Sequence, residues 1–264
     1  IIFSPPGPRW PKLKGNFRYY RVRTDRSETE KGLTYEFYWM QYELPRIVLR
    51  EKLDILHSMF LPLPLLLRSK SIITVHDLSF SRELPIGHPR VYARPLFRWI
   101  KLSMRIACRI LVPTRFTQTD IIRETGLPSG RISVVPWGVN KNFYRRTTQG
   151  KNVIERSLAA GRKPIILCVS ELIPRKNIVR LIKAFCEICH KIPHDLEIVG
   201  NRNCPDMYKG FYRDVDMLVE RTGLRRRIKL LSGLSENALR DAYRRADIFV
   251  YPSLFEGFGF PVLE

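Results

Sequence analysis

Hydrophobic residues in this chain fall into short blocks whose period changes in a regular order. Residues 71–75, 109–112 and 132–135 are compact apolar runs rich in β-branched side chains, without the alternation of a half-exposed strand. Such runs predict strands covered on both faces, as in a parallel sheet. Helical spacing separates them, over 91–107 with Pro95 near the start and over 116–124. A second series follows. Strands are predicted at 165–169, 196–199, 228–231 and 247–251. Helices are predicted at 177–189, where Ile178, Leu181, Ile182 and Phe185 share one face, at 213–222, and from an N-capping Ser235 to residue 245.

Upstream, 38–51 predicts an amphipathic helix kinked by Pro45, and 53–57 is a short apolar run. Residues 1–35 show little periodicity. Pro5, Pro6, Pro8 and Pro11 discourage regular structure, and Arg18, Arg21, Arg23 and Arg26 alternate with Tyr and Val. This reads as an irregular or edge-strand region. Residues 137–163 interrupt the strand–helix order with Gly138, Asn140, Asn142, Thr147, Thr148 and Gly150, and predict a linker with a helical segment at 153–160 inside it. The expected architecture is α/β, with two Rossmann-like, doubly wound domains: an N-terminal domain over 1–136, the linker over 137–163, and a C-terminal domain over 164–264.

Composition narrows the chemistry. The 264 residues are 44% hydrophobic and 27% charged, proportions of a globular chain and not of a disordered or fibrous one. The longest apolar run, 61–67, is broken by Pro62 and Pro64 and falls short of the roughly 20 residues that span a bilayer. Lys and Arg number 46 against 25 Asp and Glu, a net charge of +21. That excess points to an anionic partner: nucleic acid, an acidic lipid surface or a phosphorylated substrate. The five cysteines are odd in number and irregularly spaced, which fits a reducing compartment. A cytoplasmic location is expected, with peripheral contact to anionic lipid at the inner face of the membrane as its extension.

Three segments carry candidate chemistry. The strand at 247–251 runs into Pro252-Ser253-Leu254-Phe255-Glu256-Gly257-Phe258-Gly259-Phe260-Pro261. Ligands of open parallel sheets bind beyond the carboxyl ends of strands, glycines permit close backbone approach, and a helix beginning near Pro261 turns unpaired N–H groups toward an anion. Glu256 would sit in the loop and Glu264 one turn into the helix. A glycine turn with two solvated carboxylates explains the spacing equally well. The second segment, Val169-Ser170-Glu171-Leu172-Ile173-Pro174-Arg175-Lys176-Asn177, could neutralise a diphosphate through Arg175 and Lys176, or be a basic loop on a basic protein. The third is His76-Asp77 at the end of the strand 71–75, a candidate acid, base or polar donor, or a structural hydrogen-bonding histidine.

Taken together these residues resemble glycosyltransferase family 4, the group 1 glycosyltransferases. Residues Glu256-Gly257-Phe258-Gly259-Phe260-Pro261-Val262-Leu263-Glu264 resemble the family's E-x7-E motif, and Pro174-Arg175-Lys176-Asn177 its donor-phosphate loop. Thr74-Val75-His76-Asp77-Leu78 is similar to its N-domain histidine motif, and Val134-Val135-Pro136-Trp137-Gly138-Val139 to the lead into its linker. Asp54-Ile55-Leu56-His57 and Val112-Pro113-Thr114-Arg115-Phe116-Thr117 fit the same pattern. The resemblance implies a GT-B fold, with two Rossmann-like domains facing a cleft. It implies a retaining transfer of a hexosyl group, mannosyl by preference, from a nucleoside-diphosphate sugar to a glycan or lipid-linked acceptor, without a metal or other cofactor. Carried onto this chain, Glu264 binds the donor ribose, Glu256 contacts the transferred sugar, and Arg175 and Lys176 hold the diphosphate. Backbone N–H groups of Gly257, Phe258, Gly259 and Phe260 bind sugar hydroxyls or phosphate, and His76 approaches the sugar from the opposite domain. His76, Glu256 and Lys176 are thus the implied catalytic residues. Ser170 stands where some members place a basic residue, which implies a smaller cation set. The family's N-terminal glycine-rich loop is missing before residue 38 and the chain stops at Glu264, so both domains are expected to be incomplete.

Other patterns lead elsewhere. Cys186-Glu187-Ile188-Cys189-His190 matches a haem-attachment pattern, and with His194 a zinc set, but lies in a helix with strong apolar periodicity, where packing cysteines are the simpler account. Asp214-Val215-Asp216 matches a metal-binding D-x-D, yet on a helix residues two apart face different ways. Arg225-Arg226-Arg227 lacks any adjoining nucleic-acid-binding signature and reads as a solvated basic face, so no nucleic-acid partner is expected. The rival to the enzyme reading is an inactive remnant, or a basic protein that binds nucleotide, membrane surface or nucleic acid.

Overall fold

A computed structural model describes residues 2–4, 19–21, 38–59, 62–67, 71–79, 90–140, 143, 161–200 and 206–264, with backbone alone at 2–4, 19–21, 90–96 and 206–209. The predicted helical segment at 153–160, most of the linker and most of the proline- and arginine-rich start lie outside the described residues. From that start come β1 (Ile2–Ser4) and β2 (Tyr19–Arg21), two short strands paired in parallel. Next is a π-helical turn, Trp39–Glu43, that passes directly into α1 (Leu44–Arg50). The sequence pattern predicts one helix kinked at Pro45. Instead Pro45 lies in the first turn of the new α segment, where its missing N–H costs nothing.

Strands β3 (Leu56–Ser58) and β4 (Ser71–Thr74), helix α2 (Arg90–Ile106), strand β5 (Arg109–Val112), helix α3 (Arg115–Thr125) and strand β6 (Ile132–Val134) follow. The four strands form a parallel sheet in chain order. Ile73, Val75, Ile110 and Val112 pack with Ile100, Met104 and Ile121 in one core. The proline-broken segment 62–67 is tucked under this sheet although it has no ladder to satisfy its backbone. Side chains do so instead. Leu63 N–H donates to Ser103 Oγ at 2.9 Å, Trp99 Nε1 to the Leu63 carbonyl at 3.1 Å, and Leu65 N–H to the buried Gln41 Oε1 at 2.9 Å.

The second half holds β7 (Ile165–Val169), α4 (Ile178–Ile188), β8 (Asp195–Val199), α5 (Asp206–Arg221), β9 (Ile228–Leu231), α6 (Glu236–Arg245), β10 (Ile248–Phe249) and α7 (Phe260–Leu263). Its parallel sheet runs β10-β7-β8-β9. The chain steps from β7 to β9 in one direction and then returns to the other side of β7. Strand order therefore reverses at β7, and the loops after β7 and β10 leave the same end of the sheet side by side. Helix α5 starts earlier than the predicted residue 213, and its stripe of Phe211, Tyr212, Val215, Leu218 and Val219 packs on the core. Strand β10 is shorter than predicted, so Tyr251 lies in the loop.

Strand β8 is buried along its whole length, yet two of its residues are carboxylates. Glu197 receives both guanidinium nitrogens of Arg245, at 3.1 and 2.5 Å, and Lys229 Nζ at 3.4 Å. Asp195 lies between Arg227, Lys163 and Lys229 at 3.5–3.9 Å. Burial of these two carboxylates is thus offset by cations from β9, α6 and the segments just before β7 and β9. Arg227, predicted to lie on a solvated face, is turned inward. It donates to the carbonyls of Cys189 at 2.5 Å, Ile192 at 2.9 Å and His194, and lies over the Phe185 ring. Ser235 caps α6 as predicted, accepting from Ala238 N–H at 3.3 Å. No described helix is long and apolar enough to cross a membrane.

Arg245→Met is expected to lower unfolding free energy by about 1–3 kcal/mol, because it leaves the Glu197 carboxylate buried with one partner fewer. Adding Glu197→Gln should recover part of that loss. Urea unfolding of the single and double variants checks both, and equal losses in the two would contradict the pairing argument.

Candidate active site

The reversal point of the second sheet is built from two loops. The first leaves β7 through the buried Ser170, makes a short 3-10 turn at Pro174–Lys176, and enters α4 at Asn177, whose φ of 60° is left-handed. Asn177 tolerates that conformation, and its Nδ2 donates to the Pro252 carbonyl at 3.1 Å in the second loop. Further bonds tie the loops together. Leu254 N–H donates to the Arg175 carbonyl at 2.9 Å, and Arg175 Nη1 donates to the Phe255 carbonyl at 2.6 Å.

These ties bring the predicted charged residues into one cluster. Glu256 Oε1 accepts from Lys176 Nζ at 2.5 Å and Ser253 Oγ at 2.5 Å, with Arg175 Nη1 at 3.1 Å. Lys176 is 7% exposed and also donates to the Tyr251 hydroxyl at 3.0 Å. Burial pushes the Glu256 carboxyl upward, but the hydrogen bonds of Lys176 and Ser253 and the charges of Lys176 and Arg175 outweigh it. The carboxyl settles below the usual range. The same surroundings raise Tyr251, through burial first and then the Glu256 charge, so it stays a neutral phenol. Behind the site, burial pushes the Cys168 thiol up to about 11.

Glu264 is separated from this cluster. It closes the single turn of α7, with its N–H donating to the Phe260 carbonyl at 3.1 Å, and its Oε2 accepts from the Tyr243 hydroxyl of α6 at 2.9 Å. The motif's two carboxylates therefore have different partners: Glu256 faces two cations, Glu264 a phenol. Burial and that hydrogen bond raise the Tyr243 hydroxyl.

The glycine loop meets the first sheet. A Cβ on Gly257 would overlap the His76 carbonyl oxygen and stand 2.9 Å from Asp77 Cβ, so the approach requires glycine there. Gly259 has a φ of 85°, a conformation that also favours glycine. His76 Nε2 lies 2.6 Å from the Met59 carbonyl, which only accepts, so Nε2 carries a proton. The His76 ring stands 4.7 Å from Trp137, which stacks on Phe260 at 5.3 Å and lies 5.4 Å from Phe258. His76, Gly257, Phe258 and Phe260 thus meet around Trp137, at the end of the first sheet.

Sequence reasoning missed several members of this site. Tyr251, predicted as the last residue of the strand, and Ser253, inside the loop that follows, carry no spacing signal: Tyr251 meets Lys176 because β10 lies beside β7, and Ser253 meets Glu256 through the turn of the loop itself. Trp137 lies inside the segment 134–139 that resembles the lead into the family's linker, with no local cue to its ring partners. The other candidate sets do not assemble. On α5, Asp216 pairs with Arg225 of the turn that follows the helix, while its neighbour Val215 is buried. Cys189 is buried at the end of α4 with its Sγ 3.3 Å from the Cys186 carbonyl, and both cysteines are free thiols. Among the described residues no group of His, Cys, Asp and Glu is arranged to hold a metal ion.

Comparison with known proteins bears on the family and the fold. Residues 2–143 match the profile of Glycosyltransferase Family 4, and residues 151–264 that of Glycosyl transferases group 1. The O-antigen chain mannosyltransferase B of Escherichia coli is 29% identical over 74% of this chain and 50% of its own length. The O-antigen chain mannosyltransferase RfbU of Salmonella typhimurium is 27% identical over 75% of this chain and 50% of its own. The chain spans about half the length of these curated relatives. Among solved structures, the sucrose-phosphate synthase of Thermosynechococcus elongatus superposes with a TM-score of 0.66 at 17% identity, covering 91% of this chain and 61% of that one. A glycosyltransferase of Rickettsia africae gives 0.58 at 16% identity, covering 93% and 62%. Two parallel-sheet domains that meet at a glycine loop are the GT-B architecture. With both halves matched in order, the chain belongs to glycosyltransferase family 4, the group 1 glycosyltransferases.

Proposed function

We propose that this chain carries the donor site of a retaining hexosyltransferase that moves a mannosyl group from a nucleoside-diphosphate sugar to a glycan or lipid-linked acceptor. The observation that carries the reading is the cluster of Arg175 and Lys176 on Glu256 at the reversal point of the second sheet. The mannosyltransferase relatives support the choice of sugar.

The chemistry follows from the charges. Departure of the nucleotide builds negative charge on the diphosphate, and cations already in place stabilise it without reorganising. Lys176 is nearly buried, so its charge acts through a medium less polar than water. Glu256 holds both cations in position, and a diphosphate would compete with it for them. That competition would turn the carboxylate toward the sugar as the phosphates take its place. Backbone N–H groups from Gly257 to Phe260 would receive sugar hydroxyls or phosphate, and Glu264 the ribose. His76 reaches the loop from the opposite domain, through its carbonyl at Gly257 and its ring at Trp137. The cation pair supplies the charge compensation for the leaving group, so the proposal needs no metal or other cofactor.

Calorimetry with GDP, UDP and ADP, each beside its nucleoside, tests the donor site. One diphosphate is expected to bind well above its nucleoside, and no binding by any of the three would refute the reading. In Lys176→Met, affinity for that diphosphate should fall about 10- to 100-fold, as for a lost charged hydrogen bond, while nucleoside affinity stays nearly constant. Equal losses would remove Lys176 from the phosphate role.

The depressed Glu256 carboxyl also has a pH signature. A lowered folded-state value contributes stability at neutral pH, and this is lost as pH falls through that value. Wild type should exceed Glu256→Gln in thermal midpoint at pH 7. The gap should begin to narrow as pH falls through the ordinary glutamate range of about 4 and close only further into acid, where the folded carboxyl is protonated too. A gap that widens in acid would contradict the ion-pair account. EDTA should leave donor turnover intact, whereas complete loss restored by manganese would overturn the metal-free mechanism.

A further inference from the structure

Thr114 stands at the end of β5 as the N-cap of α3, with an extended backbone and its Oγ1 accepting from Thr117 N–H at 3.1 Å. The same Oγ1 donates to the Gly257 carbonyl of the second domain at 2.8 Å. A hydroxyl has one proton and two lone pairs, so both bonds form at once. The buried Thr117 Oγ1 lies 3.4 Å from the same carbonyl and 3.2 Å from Thr114 Oγ1. Nearby, Phe116 packs on Phe255 at 5.4 Å. The first turn of α3 therefore grips both sides of Glu256, through Phe255 before it and Gly257 after it.

The consequence lies in the peptide that joins Gly257 to Phe258. It is trans, as are all described peptide bonds, so its carbonyl and N–H point in opposite directions. A carbonyl turned toward Thr114 sets the Phe258 N–H facing back into the second domain. The close approach of Gly257 to the His76 carbonyl blocks the Cα side. We propose that Thr114 is a positioning residue that holds the Gly257–Phe258 peptide in one orientation and latches the donor loop to the first domain. That it does so for a sugar donor rests on the function proposed above, but the latch itself rests on contacts within the chain.

Three variants separate the two bonds of this hydroxyl. Thr114→Ser keeps both, Thr114→Val loses both, and Thr114→Asp keeps the cap acceptor but cannot donate to Gly257. Hydrogen exchange, followed by mass spectrometry without nucleotide, reads the loop directly. Amides of 255–260 should exchange about tenfold faster in the Val and Asp variants and at the wild-type rate in the Ser variant. In the Asp variant the amides of 115–118 should stay protected. Wild-type exchange at 255–260 in both Val and Asp would overturn the latch. So would full protection in Asp alone, since Thr114 would then act only as a helix cap. If the Val variant does not fold, the Asp and Ser pair decides. A second measurement compares GDP with GDP-mannose, and UDP with UDP-glucose. The Val and Asp variants should bind the bare diphosphate to within about twofold of wild type but lose about tenfold of any added affinity for the sugar form. Retention of that added affinity would overturn the positioning role. Failure of wild type to bind any of these nucleotides would refute the donor reading and leave the exchange result to judge the latch.

Discussion

The Glu256 carboxylate is the charge on which the described site turns. It is part-buried beside two cations, of which Lys176 is buried more deeply. Such a cluster is tolerated only because every charge has an opposite partner within hydrogen-bonding distance. The bonds that satisfy it also join the loops after β7 and β10. Lys176 is held by Glu256 and the Tyr251 hydroxyl, Arg175 by Glu256 and the Phe255 carbonyl, and Ser253 by Glu256 and neighbouring carbonyls. Charge neutralisation and loop geometry are therefore one property.

A second constraint is the contact between the two domains. Gly257 has no side chain, so its backbone reaches the His76 carbonyl and the Thr114 hydroxyl. The aromatic rings of Trp137, Phe258 and Phe260 add a hydrophobic contact at the same junction. The glycine loop and the first domain thus meet through the Gly257 carbonyl, the ring cluster around Trp137 and the packing of Phe116 on Phe255.

The same logic of buried charge appears away from the site. Glu197 and Asp195 stand in β8, an inner strand of the second sheet, and take cations from β9, α6 and the segment before β7. Arg227 turns inward to bind carbonyls at the end of α4. Part of the large excess of basic residues is thus used inside the second domain, and only the remainder acts on solvent or partners.

Periodicity alone determined where the strands and most helices lie, because burial on both faces of a parallel strand and on one face of a helix leaves a local trace. The apolar run of β7 and the spaced Ile178, Ile182 and Phe185 of α4 are of this kind. The loop motifs were legible too, since glycine, proline and paired cations mark turns that could receive phosphate. What the tertiary structure decided was partnership. Nothing local shows that Lys176 meets Tyr251 and Glu256, that Tyr243 meets Glu264, or that Thr114 meets Gly257. Those pairs follow from β10 lying beside β7 and from the docking of one domain on the other. The start of α1 at Leu44, the early start of α5 and the inward turn of Arg227 have the same origin. Each is set by packing against elements distant in the chain, whose positions no window of sequence contains.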